Sequence, residues 1–396
     1  MERAGGLFVR QNRTAYKRER FRLRGRFDLR KRVDLSRLRG LKGMNYGNGR
    51  SLSMTYDNRL RMTRWNCGTT LDYKYFYDYL NEHTGRVTYA QNMNDGRLDR
   101  SYEYDHVGRL AFAHSGAEAR AHAFSGQWGT MDGPYSLGFA YDVWGNMTQR
   151  FGWDGEVQGG SAGQTSFINY SYNSSNRRTG FGYDPAGNLT NDLGQTFTYD
   201  ATGQQATAAF SGYSLGQSYD GNGVRVKKVE NGSTTYYLRS SVFGGQVVAE
   251  IIWASVSWQW SRGYVFGATG LLAVQQNGVY WMHEDPVTKS KRVTNSAGTV
   301  VSTIELDPWG GDAGAAWSSN TTFQPKKFTS YDRDGNGSDE AMFRRHNRWH
   351  SRFDQPDPYG GSYKLSDPQS FNRYAYVQND PVTHVDSGLG LRVFDA

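Results

Sequence analysis

The stretch Thr196-Phe197-Thr198-Tyr199-Asp200-Ala201-Thr202-Gly203-Gln204 carries the pattern that organises this chain. Thr196, Thr198 and Asp200 alternate with Phe197 and Tyr199, the two-residue period of a strand covered on one face. Asp200 then stands where its carboxylate can accept a backbone N–H two residues on, and Gly203 supplies a positive φ that a Cβ resists. The unit is strand, aspartate-closed turn, strand. Copies stand at Tyr104-Asp105 with Gly108-Arg109, Tyr141-Asp142 with Gly145-Asn146, Tyr183-Asp184 with Gly187-Asn188, and Tyr219-Asp220 with Gly223. Tyr56-Asp57 and Tyr172-Asn173 are weaker copies. A repeat of about twenty residues builds stacked supersecondary units, not one compact globule. The tyrosine rings of successive units are expected to stack into a ladder along the sheet.

The composition agrees. The 396 residues include 48 Gly, 27 Tyr and 11 Trp, yet only 37% are hydrophobic. Glycine costs about 1 kcal/mol per helical position, whereas short half-exposed strands joined by tight turns use both glycine and tyrosine. Asn231-Gly232 and Asn277-Gly278 between alternating runs predict hairpins, and Ala297-Gly298 predicts a third. Residues 250–266 form the most apolar stretch and are expected to be strand-rich. One short helix is expected over residues 339–345. About seven copies are too few to close a shell, so an open, curved sheet is expected.

The net charge of +8 belongs to the N-terminus, because residues 1–40 hold fourteen Lys/Arg against four Asp/Glu, a balance of +10, leaving −2 for the rest. Residues 18–32 read as an electrostatic arm, for which a disordered or non-native tail is the plainer reading; nucleic acid is not expected as a partner. Cys67 is the single cysteine, which excludes an internal disulfide. No apolar run reaches about 18 residues, so no membrane span is expected, and the N-terminus lacks an apolar signal stretch.

The C-terminal third carries an ordered series. It runs His283-Glu284-Asp285, Arg292-Val293-Thr294, Asp307-Pro308-Trp309-Gly310, Tyr331-Asp332-Arg333-Asp334, and Arg352-Phe353-Asp354-Gln355-Pro356-Asp357-Pro358. Asp367-Pro368-Gln369-Ser370-Phe371-Asn372-Arg373-Tyr374, Asn379-Asp380-Pro381 and Val385-Asp386 follow. With the repeat, it resembles the bacterial Rhs (YD-repeat) family over roughly residues 100–391. That family includes the teneurin YD shell and the C components of insecticidal toxin complexes. The resemblance implies an all-β chain: a repetitive antiparallel β-hairpin ribbon spiralling into a partial shell, secreted or at the cell surface. It divides the chain into a basic tail (1–45), a shell wall (46–280) and an Rhs repeat-associated core domain (281–396). It implies encapsulated polypeptide cargo, or a cell-surface partner or glycan, with no cofactor. It also implies an aspartate-dependent self-cleavage in which Asp357 and Asp367 are the paired carboxylates and the cut follows Leu389. Two close carboxylates resist ionising together, so one can serve as acid while the other activates water. Here the closing motif, Val385-Asp386-Ser387-Gly388-Leu389, lacks the family's proline, and histidines replace aromatics in Arg345-His346-Asn347-Arg348-Trp349-His350.

Two other patterns stand out. Asp332, Asp334, Asn336, Gly337 and Glu340 imitate the opening of a calcium loop, but Phe343 holds the position where a bidentate Glu belongs, so a polar turn is expected. His346 and His350 lie four apart with no third ligand near in sequence, and are expected to serve as aromatic filler.

Overall fold

The computed structural model describes residues 33–35, 41–77, 85–121, 132–154, 165–254, 256–267, 270–386 and 391–393. They fold as antiparallel sheets with a single short α-helix, Gly116–Ala121, among the described residues. Eleven strands, from Val33–Leu35 to Thr165–Asn169, form a first sheet in strict chain order, and thirteen, from Gly182–Tyr183 to Val300–Ile304, form a second. Every strand pairs with its neighbours in sequence, the topology that a chain of hairpins imposes. The Tyr172↔Arg178 bridge carries the ribbon from one sheet to the other.

The aspartate turns of the two sheets share one construction, except that Asp184 Oδ1 accepts only the Asn188 N–H (2.8 Å). Asp105 Oδ1 accepts the N–H groups of Val107 (3.1 Å) and Arg109 (2.9 Å), and the Asp105 and Arg109 backbones pair across the loop. Asp57, Asp142, Asp200 and Asp220 repeat this double acceptance, and Gly203 sits at φ 81°. The unit's tyrosine is fixed by its hydroxyl, which donates to a main-chain carbonyl of an earlier strand: Tyr141 to Leu110, Tyr199 to Leu189, Tyr219 to Gln205, at 2.7 to 2.9 Å. Tyr77 does the same toward Met62 (2.9 Å), which marks a copy of the unit that the sequence reading missed. The rings lie under cations. Arg61 covers Tyr77 at 4.3 Å and Arg109 covers Tyr141 at 4.8 Å, so the ladder alternates guanidinium with phenol.

The three hairpins at Asn231-Gly232, Asn277-Gly278 and Ala297-Gly298 form where the sequence placed them. The helix expected over 339–345 does not form. Ser338–Ala341 and Arg344–Asn347 are instead strands of a four-stranded sheet joined at Met342-Phe343. Their side chains are largely buried on both faces, which removes the alternation that announces a strand.

The sheets do not close into a barrel, yet the ends of the ribbon meet. Asn48 donates to Thr294 Oγ1 (2.8 Å), Arg50 donates to the Gly298 carbonyl (2.8 Å), and Tyr73 and Ser290 hydroxyls lie 3.3 Å apart. Inside, Trp65, Tyr102 and Leu137 of the first sheet pack in one core with Trp309, Phe328, Phe353 and Tyr376 of the C-terminal segment. Residues after Ile304 therefore share one core with both sheets.

Candidate functional site

The C-terminal segment grips the wall at its turns. Asn379 Nδ2 donates to the Gly145 carbonyl (2.8 Å), Arg352 to Asn176 (2.9 Å), Tyr374 hydroxyl to Gly187 (2.8 Å) and Gln355 Nε2 to Gly203 (3.3 Å). Each accepting residue is the fourth of its turn. In Asn173-Ser174-Ser175-Asn176, Asn176 takes the left-handed conformation (φ 58°) that glycine takes elsewhere. The left-handed backbone aims that carbonyl outward, so one repeated geometry offers four successive acceptors.

The same turn recurs inside the segment with a different outcome. In four wall turns the second carboxylate oxygen binds the fifth residue of its own turn, as Asp105 holds Arg109 (2.6 Å) and Asp142 holds Asn146 (2.9 Å). In the turns opened by Asp307 and Asp334 that fifth residue is Gly311 or Ser338, and the oxygen reaches the wall instead. Asp307 takes Arg150 at 2.5 Å, and Asp334 takes Arg225 at 2.6 Å, Lys228 at 3.0 Å and its neighbour Arg345 at 2.7 Å. Burial alone would raise the Asp334 pKa; Arg225, Lys228 and Arg345 more than offset it and hold the carboxyl far below its usual range. Glu305, fully buried, bridges Arg100 of the first sheet (2.9 Å) and Arg292 of the second (2.7 Å). The calcium-like stretch is thus a polar turn whose carboxylates are committed, Asp332 to Lys326 at 2.8 Å and Asp334 to the wall.

Asp357 and Asp367 are both half-buried and hold different partners. Asp357 accepts from the Tyr359 N–H (2.9 Å) and faces Arg344 at 3.5 Å, whereas Asp367 accepts from Gln378 Nε2 at 2.7 Å. The carboxylate that shares Arg344 with Asp357 is Asp386, at 2.7 Å. The Asp386 backbone is held by the Tyr331 hydroxyl, which donates to its carbonyl, and its N–H donates to Tyr376 (3.3 Å). Sequence gave one clue to this role: Asp386 stands three positions before Leu389, which lies outside the described residues, as do residues 18–32 of the basic arm. His384–Asp386 pairs with Leu391–Val393. Asp386 also borders a cavity of about 400 Å³ lined by Phe243, Phe266, Leu271, Glu340 and Lys289, whose amine burial pushes down to about 8.

A second carboxylate pair went unnoticed in the sequence. Asp354 and Asp192 are buried together between the segment and the wall strand Leu189–Asp192. Burial, then the Asp192 charge, pushes Asp354 up to about 7. His350 stands 3.1 Å from Asp192, and burial pushes its imidazole down to about 4. His346 packs on Phe328 at 5.1 Å, as aromatic filler, so the two histidines serve different surroundings. Among the described residues no cluster of three or more His, Cys, Asp or Glu is arranged to hold a metal.

No protein-family profile matches the sequence, and no curated protein matches it. Solved structures do. A crystal structure of TcdB2-TccC3-Cdc42 superposes with TM-score 0.67 at 17% identity over 90% of this chain and 19% of that one. A TcdB2-TccC3 structure without its hypervariable C-terminal region gives 0.64 at 18% identity over 90% and 19%. A Tc holotoxin pore of Photorhabdus luminescens gives 0.64 at 17% identity over 92% and 19%. The chain thus shares a fold with these Tc toxin chains while spanning about a fifth of their length.

Proposed function

We propose that this chain is a wall and seal of a YD-repeat β-shell, acting as a scaffold that encloses polypeptide cargo or presents its outer surface to a partner. The observation that carries this reading is the seam: four turn carbonyls of the wall receive donors from the C-terminal segment, and Asp307 and Asp334 insert into buried wall arginines. A segment held at so many separated points closes the space it occupies. The toxin structures, which combine this fold with further chains, support the reading by fold. The test appends an unstructured polypeptide after Ala396 and follows its tryptic digestion. Enclosure predicts digestion at least tenfold slower than for the same peptide free in solution, and equal rates would overturn it.

Arg344 favours a second reading, self-cleavage after Leu389. Its guanidinium holds Asp357 (3.5 Å) and Asp386 (2.7 Å) beside the chain that leads to the cut. Asp367, paired with Asp357 in this reading by motif, would act from the position in which Gln378 holds it. The expected outcome is loss of residues 390–396 in the intact mass of the purified chain, blocked by Asp357→Asn. An unprocessed mass of 44.7 kDa would overturn it.

A further inference from the structure

The two rims of the ribbon differ. Gly187, Gly223 and Gly245 on the aspartate rim of the second sheet abut Tyr374, Phe343 and Met342 of the C-terminal segment, whereas Gly194, Gly212 and Gly232 on the opposite, more open rim have free space beside them, that rim meeting the segment where Glu230 accepts the Gly335 N–H (2.7 Å). The longest hairpin of that open rim is Gln246–Ala254 with Ser257–Gly267. Its register runs Glu250↔Arg262, Ile251↔Trp260, Ile252↔Gln259, Trp253↔Trp258 and Ala254↔Ser257. The ion pair Arg262–Glu250, at 3.1 Å, is the last charge before the tip, and residues 251–260 carry none. Four uncharged rows at about 3.4 Å each make a tip of roughly 14 Å.

The indole-bearing face of this tip is in solvent. Trp253, Trp258 and Trp260 are each more than half exposed, and Val256 at the turn is 86% exposed. Trp258 meets Trp253 at 4.9 Å and Tyr236 at 5.0 Å, both edge-on, so the rings form one cluster, with Lys227 beside Tyr236 at 5.6 Å. A cluster of that size on a projecting element marks an interaction surface. A sugar platform needs ring faces flanked by carboxylates or amides, and Gln259 is the sole such side chain on the tip. Indole, which is apolar but keeps one N–H donor, concentrates at the boundary between lipid headgroups and acyl chains, a layer entered by about 5–10 Å. We propose that the tip of this hairpin, at residues 251–254 and 256–260, is a lipid-interface anchor that inserts its tryptophans into a bilayer surface, with Lys227 at headgroup level.

The test is co-sedimentation of the full chain with phosphatidylcholine vesicles, with and without one-quarter phosphatidylserine, followed also by tryptophan emission and by quenching with brominated lipid. Binding to the neutral vesicles, a blue shift and quenching are expected. The substitutions Trp253→Ser, Trp258→Ser and Trp260→Ser together should weaken partitioning at least tenfold. Val256→Asp, which alters an exposed position and disturbs no packing, should do so by a similar factor because it places a charge at the inserted point. Four results would each overturn the proposal: no vesicle binding, binding only with phosphatidylserine that high salt abolishes, binding unchanged in Val256→Asp, or tryptophan-dependent retention on a glycan or protein surface instead of vesicles.

Discussion

Replacing Asp334 by Ala should cost about 3–5 kcal/mol of stability, the range for removing one partner of a buried ion pair. The cost follows from what stays behind. Arg225 and Arg345 are essentially without solvent access, and both donate to Asp334 Oδ2, while Lys228 binds Oδ1. Without the carboxylate, three cations share a desolvated space. The contrast is Asp95→Ala, which removes the Arg97–Asp95 pair at 2.8 Å, where Arg97 is 61% exposed; water takes over the ion pair there, only the cap on the Arg97 N–H is lost with it, and a much smaller effect is expected. Urea midpoints of the two variants beside the parent measure both. An Asp334→Ala loss below 1 kcal/mol would show that the seam is not a principal fastening.

Asp354→Asn should stabilise the protein at pH 8.5 by about 2–4 kcal/mol and leave it unchanged at the lowest pH at which it stays folded. The folded-state pKa of Asp354 is raised to about 7 from an ordinary 3.8, by burial and then by Asp192. Its contribution is therefore fully present below 3.8 and lost as pH rises through 7. Asn347 at 3.2 Å and the nearby Arg345 and Arg352 act the other way and fall short. His350, on the far side of Asp192 and near Arg178, has the opposite sense. Its imidazole falls to about 4 from 6.5, so its contribution is present above 6.5 and lost as pH falls. Between about 4 and 6.5 the two nearly cancel. The parent should show a flat profile there, and Asp354→Asn should expose the His350 slope of about 1.4 kcal/mol per pH unit. Urea unfolding from pH 4 to 9 checks both halves. A variant whose profile parallels the parent's would refute the raised Asp354 pKa.

What the sequence disclosed was local. Asp200 and Gly203 specify a turn because five consecutive residues contain the whole arrangement, and Asn231-Gly232 specifies a hairpin for the same reason. Tyr77 escaped because the residues between it and Gly85 stretch its unit beyond the repeat spacing. Residues 339–345 were misread because burial on both faces erased the alternation. The partners that define the seam could not be seen: Asp334 finds Arg225 across 109 positions, and Asp307 finds Arg150 across 157. The clue, in retrospect, is the small fifth residue, Gly311 or Ser338, which leaves an aspartate without its usual local partner. Asp386 needed the fold to bring Arg344 between it and Asp357.

The asymmetry of the two rims constrains how such a chain can change over generations. Lengthening the connection at Gly278, whose close neighbour is Tyr280 of its own hairpin, leaves other elements in place, and loop closure grows costly only slowly with length. An added residue at Gly187 or Gly203 would misplace a carbonyl to which Tyr374 or Gln355 donates. Novelty should therefore accumulate along one border of the ribbon while the other stays fixed in length, much as a bound book can gain pages only on the side away from its spine.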